Sequence, residues 1–301
     1  MALNQSIVKA YRSLVEIGIA VSRREDIDTL LETILLSAKE LAQADGGTLY
    51  LVEDEGFLSY KMLHTTSLGI ATGGKTGQKP TFPPIPIADT GAVAAYCARS
   101  QQAINIPDIY RNEDFDFSGP RKFDANVGYQ TKSMLCIPLI NHRDETIGVL
   151  QLINAINPAT GELTAFDSDV QELCEALAAQ AAMALTNREL IVQLEDLFFS
   201  FIGLINTAID EKSPYTGGHC NRVPELTLML AEAVNGANYG PLSDFRLTDD
   251  DFYELKVASL LHDCGKIVTP VHVVDKATKL ETIFDRIQLI DTRFEVAIRD
   301  L

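Results

Sequence analysis

The spacing of apolar residues predicts helices at the start of the chain. Residues 4–23 place their apolar side chains on one helical stripe, and residues 27–44 repeat the pattern. Asp26 or Asp28 lies near the expected start of the second helix, where a side chain that caps the helix is favoured. We expect the glycine pair at 46–47 to break the second helix.

Segments of strand type follow. Residues 48–52 and 57–65 are rich in β-branched and aromatic residues and flank a short polar turn. The strongest hairpin signal comes later, where residues 133–140 and 146–154 flank the polar turn 141–145. Together these segments predict an antiparallel sheet.

The segments between the strands are less regular. Residues 66–86 are rich in Gly, Thr and Pro and are longer than a strand connection needs, so we expect a loop over a pocket. Residues 90–99 predict a helix and residues 103–106 a short strand. Residues 111–124 are polar and aromatic and predict a second mobile stretch. This order of elements is typical of an α+β domain, with an antiparallel sheet and flanking helices.

A helix of more than forty residues is predicted from about residue 166, with a sustained seven-residue apolar repeat. The repeat predicts a parallel coiled coil across a two-fold dimer, in which polar Gln180 and Asn187 fix the register. The alternative is a helix that packs only on its own sheet, as we expect of its first two turns. Residues 190–208 have no domain to bury them and favour the dimer. The two predicted seams are Leu177, Ala184, Ile191, Phe198 and Ile205, and Leu173, Gln180, Asn187, Leu194, Phe201 and Ala208.

Composition narrows the class of protein. The 301 residues are 46% hydrophobic and can form two domain cores, while the net charge of −17 argues against a nucleic-acid or anionic-membrane partner. Five scattered cysteines without a Cys-x-x-Cys pair fit a reducing cytoplasm, and we interpret Cys220 and Cys264 as packing residues. With neither a signal-peptide pattern nor an uninterrupted apolar run of spanning length, we expect a soluble cytoplasmic protein.

Three segments resemble the GAF domain family. They are residues 106–108, 128–139 and 147–154, within a stretch of about 25–187. The resemblance implies a small-molecule sensor, and cyclic nucleotides are one ligand class of such domains. It also leaves open a GAF domain used only for dimerisation.

The cyclic-nucleotide type of GAF domain carries a spread Asn-Lys, Phe and Asp-Glu signature. This chain keeps Asn154, Phe166 and Asp169, but has Ala155 for the Lys and Val170 for the Glu. Because an Ala cannot form the ion pair of that signature, cyclic-nucleotide binding is in doubt and the GAF ligand stays open.

The motif over residues 260–266 carries metal chemistry. An apolar helix runs into His262 and Asp263, Gly265 is expected to stop it, and Lys266 follows. Imidazole and carboxylate together suit Fe, Mn, Zn or Ni, and a bound metal lowers the pKa of a bound water. Lys266 is placed to hold a phosphate oxygen. The alternative for the isolated dipeptide is a helix end with a solvated turn.

Further motifs make this region resemble the HD-GYP branch of the HD phosphohydrolases. Residues 210–223 match its opening motif, residues 260–266 its Leu-Leu-His-Asp-x-Gly-Lys core and residues 276–280 its Lys-x-x-Lys-Leu step, within about 205–290. The resemblance implies an all-α domain that hydrolyses phosphodiesters.

The resemblance also implies the site residues. His219, His262 and Asp263 would hold a divalent metal such as Fe or Mn, with Asp263 able to bridge to a second one. Asp210 falls near an acidic position that is a ligand in some members. Lys266 would act in catalysis beside Asp263, and Lys266 and Arg222 would meet the substrate phosphate.

The chain departs from the HD-GYP pattern beyond the Lys-x-x-Lys-Leu step. Asp291 stands where members carry a further His, His272 is the last histidine, and no Gly-Tyr-Pro signature follows. The chain stops in a helix predicted over 281–301, with an apolar stripe on one face. We therefore expect a truncated or degenerate member that holds about half of a binuclear site.

The expected organisation has four parts. Residues 1–24 form an N-terminal helix, 25–187 a GAF sensor, 188–210 a coiled-coil signalling helix, and 211–301 an HD-GYP-like domain incomplete at its C-terminus.

Three functions remain open. The first is an enzyme that hydrolyses a phosphodiester, with cyclic di-GMP as the substrate the resemblance implies, under control of a GAF ligand in a homodimer. The second is a non-catalytic GAF-dimer sensor or scaffold with an inactive HD module, which Asp291 and the missing signature favour for this chain. The retained His219, His262, Asp263 and Lys266 favour the first for the parent protein. A nucleotide phosphohydrolase is a weaker third reading.

Overall fold

The computed structural model separates the chain into two compact units, with the boundary between Val192 and Gln193. Apart from Val15, the helix predicted over residues 4–23 and the domain predicted over 1–24 lie outside the described residues. The residues that the structure describes are 15, 26–53, 56–76, 78, 80–212, 218–274, 276, 278, 280 and 285–301.

Helix α1 (Ile27–Ala42) opens the first unit and confirms the second predicted helix. Asp26 caps its start, because its carboxylate accepts hydrogen bonds from the Thr29 backbone N–H and hydroxyl, both at 2.8 Å. The helix ends at Gln43, which adopts a left-handed conformation with φ 50°.

From the sequence, the glycine pair at 46–47 was expected to break the helix. Instead, it lies inside strand β1 (Ala44–Glu53). A Cβ on Gly46 would come within 2.8 Å of Ile153 Cγ1, and one on Gly47 within 2.9 Å of Leu35 Cδ1. Both glycines therefore serve close packing on the sheet.

One antiparallel sheet organises this unit, in the order β3-β2-β1-β7-β6-β5, with β4 paired to β2 and β8 to β7. The predicted hairpin is confirmed as the β6–β7 pair. The remaining strands are β2 (Phe57–Thr65), β3 (Ile70–Thr72), β4 (Ile85–Pro86), β5 (Ile104–Ile106), β6 (Met134–Ile140), β7 (Thr146–Ile156) and β8 (Leu163–Thr164).

Two connecting segments are more regular than predicted. The segment 66–86 contains β3, β4 and a 3-10 turn at Gly74–Thr76. Helix α2 (Val93–Ser100) follows it, and the stretch 111–124, predicted as mobile, contains the start of helix α3 (Ser118–Val127). Pro120 near the start of α3 and the left-handed Gly128 after its end are the local signals that define this short helix.

The two faces of the sheet bury separate apolar clusters. Alternate residues such as Leu49 and Leu152 face α1 and the first turns of helix α4 (Ser168–Lys212), in a cluster with Leu30, Ile34 and many others. Tyr50 and Val149, which lie an odd number of positions from Leu49 and Leu152 on the same strands, face the opposite way and pack with Val93 and other residues of α2.

Helix α4 confirms the long predicted helix and continues through Gly203. It packs on its own sheet as far as Leu185, well beyond the two turns expected. Farther along, Ile202, Asn206 and Ile209 are buried within the second unit. The most exposed large apolar residues of α4 are Leu194 (64%), Leu197 (66%), Phe201 (60%) and Leu204 (67%). Their spacing alternates three and four residues, and these four residues form the exposed seam. Leu194 and Phe201 belong to one predicted seam, Leu197 and Leu204 to neither, while Phe198 of the other predicted seam is exposed and Ile205 is partly buried.

By length and composition, α4 also qualifies as one helix able to cross a membrane, with a mean hydropathy of 1.4 over 18 residues. The charged pair Glu195 and Asp196 lies within its exposed apolar part, where burial in hydrocarbon is costly. A single helix of this kind is weak support for a membrane span.

Within its described residues, the second unit contains helices and no strand. After α4 come α5 (His219–Asn235), α6 (Asp249–Leu261), a 3-10 turn at Cys264–Ile267, α7 (Val271–Val274) and α8 (Ile287–Arg299). Helix α6 starts with a capping box, in which Thr248 and Asp251 bond each other's backbone N–H groups. Helix α6 ends at Leu261, before the His-Asp pair, and not at Gly265 as predicted. The helix predicted over 281–301 is described only as α8, because residues 281–284 lie outside the described residues.

Replacing both Leu197 and Leu204 by Asp is expected to convert a dimer into a monomer in analytical ultracentrifugation, because charge on the exposed seam removes its apolar burial. Val192→Asp, on the opposite side of the same helix, is the matched control and should leave the dimer intact. A native chain that sediments as a monomer at micromolar concentration contradicts the coiled-coil prediction.

Candidate functional site

Two histidines that are distant in sequence meet in the second unit. His219 is the first residue of α5, and His262 follows the last residue of α6. Their Nε2 atoms are 3.2 Å apart, although the residues are 43 positions apart in the chain. His262 Nδ1 lies 2.7 Å from the Ser259 carbonyl oxygen, which can only accept, so Nδ1 carries the proton and Nε2 presents its lone pair.

Asp263 completes the group. Its Oδ2 atom is 3.2 Å from His262 Nε2 and 3.6 Å from His219 Nε2. Lys266 Nζ donates a 2.6 Å hydrogen bond to the same oxygen. Burial raises the pKa of Asp263, but this hydrogen bond from Lys266 and the surrounding positive charge outweigh it and hold the pKa below its usual value. The carboxylate is therefore ionised at neutral pH.

Asp210 lies near this group, on the last turn of α4. Its Oδ2 atom accepts a 3.0 Å hydrogen bond from the Gly218 backbone N–H, while its buried Oδ1 atom has no hydrogen-bond partner among the described residues. Burial raises the pKa of the Cys220 thiol, and the negative charges of Asp210 and Asp263 raise it further. Cys220 is buried, as predicted, whereas Cys264 is exposed and is not a packing residue.

The remaining predicted site residues lie outside the group. Arg222 is exposed on α5, less than one turn from His219, and Asp291 is exposed on α8. Among the described residues, one group of three or more potential metal ligands (His, Cys, Asp or Glu) has its ligand atoms all within 4.8 Å of one another. This group is His219, His262 and Asp263. Asp210 and Asp291 are not members of that set.

The first unit has a cavity of about 500 Å³ on the sheet face that carries Tyr50. Tyr50 and Tyr60 form one wall, with ring centroids 4.7 Å apart, and Phe82 continues the aromatic row 5.2 Å from Tyr60. The Tyr50 hydroxyl donates a 3.0 Å hydrogen bond to Gln151 Oε1. Burial raises the pKa of both tyrosines, so both phenols stay neutral at physiological pH.

The cavity mouth is acidic, and two helices begin there. Ala92 and Phe117 precede α2 and α3 without a side-chain cap, and both line the cavity. Asp89 and Asp116 line it too, and Asp116 accepts a 2.8 Å hydrogen bond from the Ser118 backbone N–H. None of the described residues that line this cavity is Lys, Arg or His. The lining therefore favours a neutral ring over an exposed anion.

Residues 26–185 match the model of the GAF domain family, which is more than half of the chain. The chain belongs to the GAF domain family. GAF domains commonly bind small-molecule ligands and dimerise. The match ends before the second unit begins, so the HD resemblance there stays a prediction.

Relatives of known sequence include cyclic-nucleotide phosphodiesterases. A cGMP-specific 3',5'-cyclic phosphodiesterase of Drosophila mojavensis is 30% identical over 140 residues, which cover 46% of this chain and 12% of that protein. A dual 3',5'-cyclic-AMP and -GMP phosphodiesterase 11A of Takifugu rubripes is 28% identical over 170 residues, which cover 56% and 18%. The chain thus spans less than a fifth of the length of these relatives.

Solved structures include similar GAF domains. That of a phosphoenolpyruvate-protein phosphotransferase from Coxiella burnetii is 15% identical with a TM-score of 0.47, covering 62% of this chain and 98% of that one. A methyl-accepting chemotaxis protein fragment is 20% identical with a TM-score of 0.42, covering 60% and 98%.

The GAF signature residues that the chain keeps stabilise the fold and do not line the cavity. Asn154, with φ 58°, accepts a 2.6 Å hydrogen bond from the Lys132 backbone N–H and donates one of 2.8 Å to the Gln130 carbonyl. Phe166 is buried in the α1-side core, and Asp169 is exposed at the start of α4. Ala155 and Val170, which stand in place of the Lys and Glu of the signature, do not line the cavity either.

The geometry of the second unit fits a divalent metal. The separations of 3.2, 3.2 and 3.6 Å between its three ligand atoms are close to the roughly 3.0–3.4 Å between neighbouring ligands that each lie about 2.1 Å from one ion. The orphaned Asp210 Oδ1 is a nearby oxygen of the kind that such an ion attracts. The identity and number of metals stay predictions.

Sequence reasoning named the metal-type residues but none of the cavity residues. Tyr50 and Tyr60 are aromatic residues on predicted strands, and the run Phe82 to Pro86 lies in the loop expected over a pocket. Only the antiparallel register, which pairs Tyr50 with Tyr60, brings the two rings together. The strand register is therefore the information that would have been needed to identify the cavity residues from the sequence.

Proposed function

We propose that the chain is a GAF-regulated, metal-dependent phosphodiesterase of the HD-GYP-like type. The observation that carries the proposal is the meeting of His219, His262 and Asp263, from two helices and a turn, with Lys266 bonded to the same carboxylate. A helix end with a solvated turn would not require two histidines, an aspartate and a lysine to lie this close together.

Each residue then has a role. His219, His262 and Asp263 would hold a divalent metal such as Fe or Mn, and Asp210 would offer a further oxygen nearby. A bound metal supplies Lewis-acid activation of water at neutral pH. His262 is fixed in orientation by its hydrogen bond to the Ser259 carbonyl oxygen.

The cations of the site serve an anionic substrate. In a chain of net charge −17, Lys266 and Arg222 are the local cations that attract a phosphodiester. Lys266 exchanges its bond to Asp263 for a phosphate oxygen and offsets the charge that develops there. A cyclic dinucleotide is the substrate class that the HD-GYP resemblance implies.

The GAF domain is the sensor in this proposal. Its aromatic row and few polar groups suit a planar heteroaromatic ring held by stacking, and the Gln151 and threonine side chains suit the ring's edge. The phosphodiesterase relatives act, by their names, on cyclic purine nucleotides, which makes cyclic GMP a ligand to test in this cavity. Because Asp89 and Asp116 lie beside the helix starts at the mouth, any phosphate of that ligand has to point away from these two carboxylates.

One observation favours the non-catalytic alternative. Lys266 already neutralises the Asp263 oxygen that faces both histidines, and exposed Asp291 stands in place of a further His. A sensor or scaffold with an inactive HD module fits that arrangement. A nucleotide phosphohydrolase is the weaker third candidate.

Lys266→Ala is expected to lower kcat of the manganese-loaded chain on bis(p-nitrophenyl) phosphate by about 100-fold, the loss typical of one electrostatic stabiliser of a transition state. The release of p-nitrophenolate measures the rate. Arg293→Ala, an exposed cation on α8, is the matched control. A native chain without metal-dependent hydrolysis supports the sensor or scaffold alternative.

Tyr60→Ala is expected to weaken binding of cyclic GMP by about fivefold to 150-fold, since stacking on one aromatic ring contributes about 1–3 kcal/mol. Tyr60→Phe, which keeps the ring, should bind like the native chain in isothermal titration calorimetry. Guanosine is measured in parallel to separate ring from phosphate recognition. Equal affinity of Tyr60→Ala and the native chain contradicts a site in this cavity.

A further inference from the structure

Lys39 is a buried lysine in the GAF domain, away from the cavity that carries Tyr50. It lies on α1 and is only 5% exposed. Its stem crosses β1 at Gly47, where an added Cβ would lie 3.2 Å from Lys39 Cγ. The glycine therefore leaves room for the lysine stem and fixes its path.

The amine of Lys39 has two defined partners. Its Nζ atom is 2.5 Å from His64 Nδ1 and donates a 2.9 Å hydrogen bond to Thr66 Oγ1. His64 accepts at Nδ1 only in the tautomer that carries its proton on Nε2. Both partners come from the end of β2 and the turn after it, so the sheet holds them against α1.

The charges around Lys39 do not compensate for its burial. Burial lowers the pKa of Lys39 to about 8, although the negative charge of Asp45 raises it. Asp45 accepts hydrogen bonds of 2.6 Å from both the Ser67 and Tyr129 hydroxyls. Burial and the charge of Lys39 lower the pKa of His64, while Glu32 and Asp45 raise it.

The amine adjoins a hollow of about 490 Å³ that Lys39 and His64 line together. Apolar side chains, including Leu36, Ala44 and Ile156, form most of the remaining wall, and Glu40, Gln43, Asp45 and Thr66 add polar groups to it. A desolvated lysine in an apolar hollow, beside a neutral imidazole, is the arrangement that makes an amine nucleophilic.

We propose that Lys39 captures small aldehydes with apolar tails as an imine in this hollow, with His64 as the proton-transfer group. No part of the phosphodiesterase proposal is required for this reaction, and the site belongs to the GAF domain alone.

The reaction is balanced without a further reagent. The Nζ lone pair forms a bond to the carbonyl carbon, and the C=O π electrons move to oxygen. His64 Nδ1 accepts a proton from the adduct nitrogen and returns it to the oxygen, which gives a neutral carbinolamine. The oxygen then leaves as water with both amine hydrogens, and the C=N bond forms.

The lysine is expected to react faster than an exposed amine. At pH 7 its neutral fraction is about 300 times that of a lysine with the ordinary pKa of 10.5. Lower intrinsic nucleophilicity and restricted access reduce this advantage, so we expect a rate at least about tenfold above that of exposed Lys75.

The test treats the full-length chain with butanal and sodium cyanoborohydride between pH 6 and 10 and maps secondary amines by peptide mass spectrometry. Butylation is expected first at Lys39, with a rate that rises with pH and is half-maximal near pH 8, where the amine loses its proton. His64→Gln should slow Lys39 about tenfold or more, whereas His142→Gln, at an exposed turn, should not. Circular dichroism confirms that both variants are folded.

Two results overturn the proposal. One is butylation of Lys75 at the same rate as Lys39 or faster. The other is a Lys39 rate that still rises above pH 10 like that of an ordinary lysine and is unchanged by His64→Gln.

Discussion

The close pairing of β1 with β7 is the constraint on which the GAF domain depends. The two strands approach where side chains are absent: a Cβ on Gly148 would lie 2.3 Å from the Tyr50 carbonyl oxygen. In the same way, Gly46 leaves room for the side chain of Ile153, and Gly47 leaves room for that of Leu35. Because the pair sits at the centre of the sheet, it sets which residues face α1 and which face the cavity. Tyr50 lines the cavity, and Lys39 reaches His64, as results of the same register.

Local signals in the sequence were sufficient for much of this fold. The Asp26 cap, the β6–β7 hairpin and the long helix α4 each depend on residues close in sequence, and each is present as predicted. The glycine pair was misread because its reason is non-local, namely contact with Ile153 and Leu35. Exposure along α4 is non-local in the same way, since Leu197 and Leu204, which lie outside both predicted seams, are exposed, whereas Ile202 and Ile209 are buried.

The candidate metal site shows the same division between local and non-local information. The motif around His262 and Asp263 was readable in sequence, and so was His219 by resemblance. Their mutual distances, the tautomer of His262 and the orphaned oxygen of Asp210 follow only from how α4, α5 and α6 meet. Family membership is shown for the GAF domain alone, so the chemistry of the second unit depends on this geometry and not on a match.

Metal content per chain tests the central claim most directly. The native chain and the variants His262→Ala and His272→Ala are loaded anaerobically with iron or manganese, and excess ion is removed. The metal bound per chain is then measured by inductively coupled plasma mass spectrometry. His272 lies on α7, outside the gathered group, and serves as the matched control. The account predicts one or two metals in the native chain and in His272→Ala, and their loss in His262→Ala. Native protein that holds no metal, or His262→Ala that holds as much as the native chain, would contradict it.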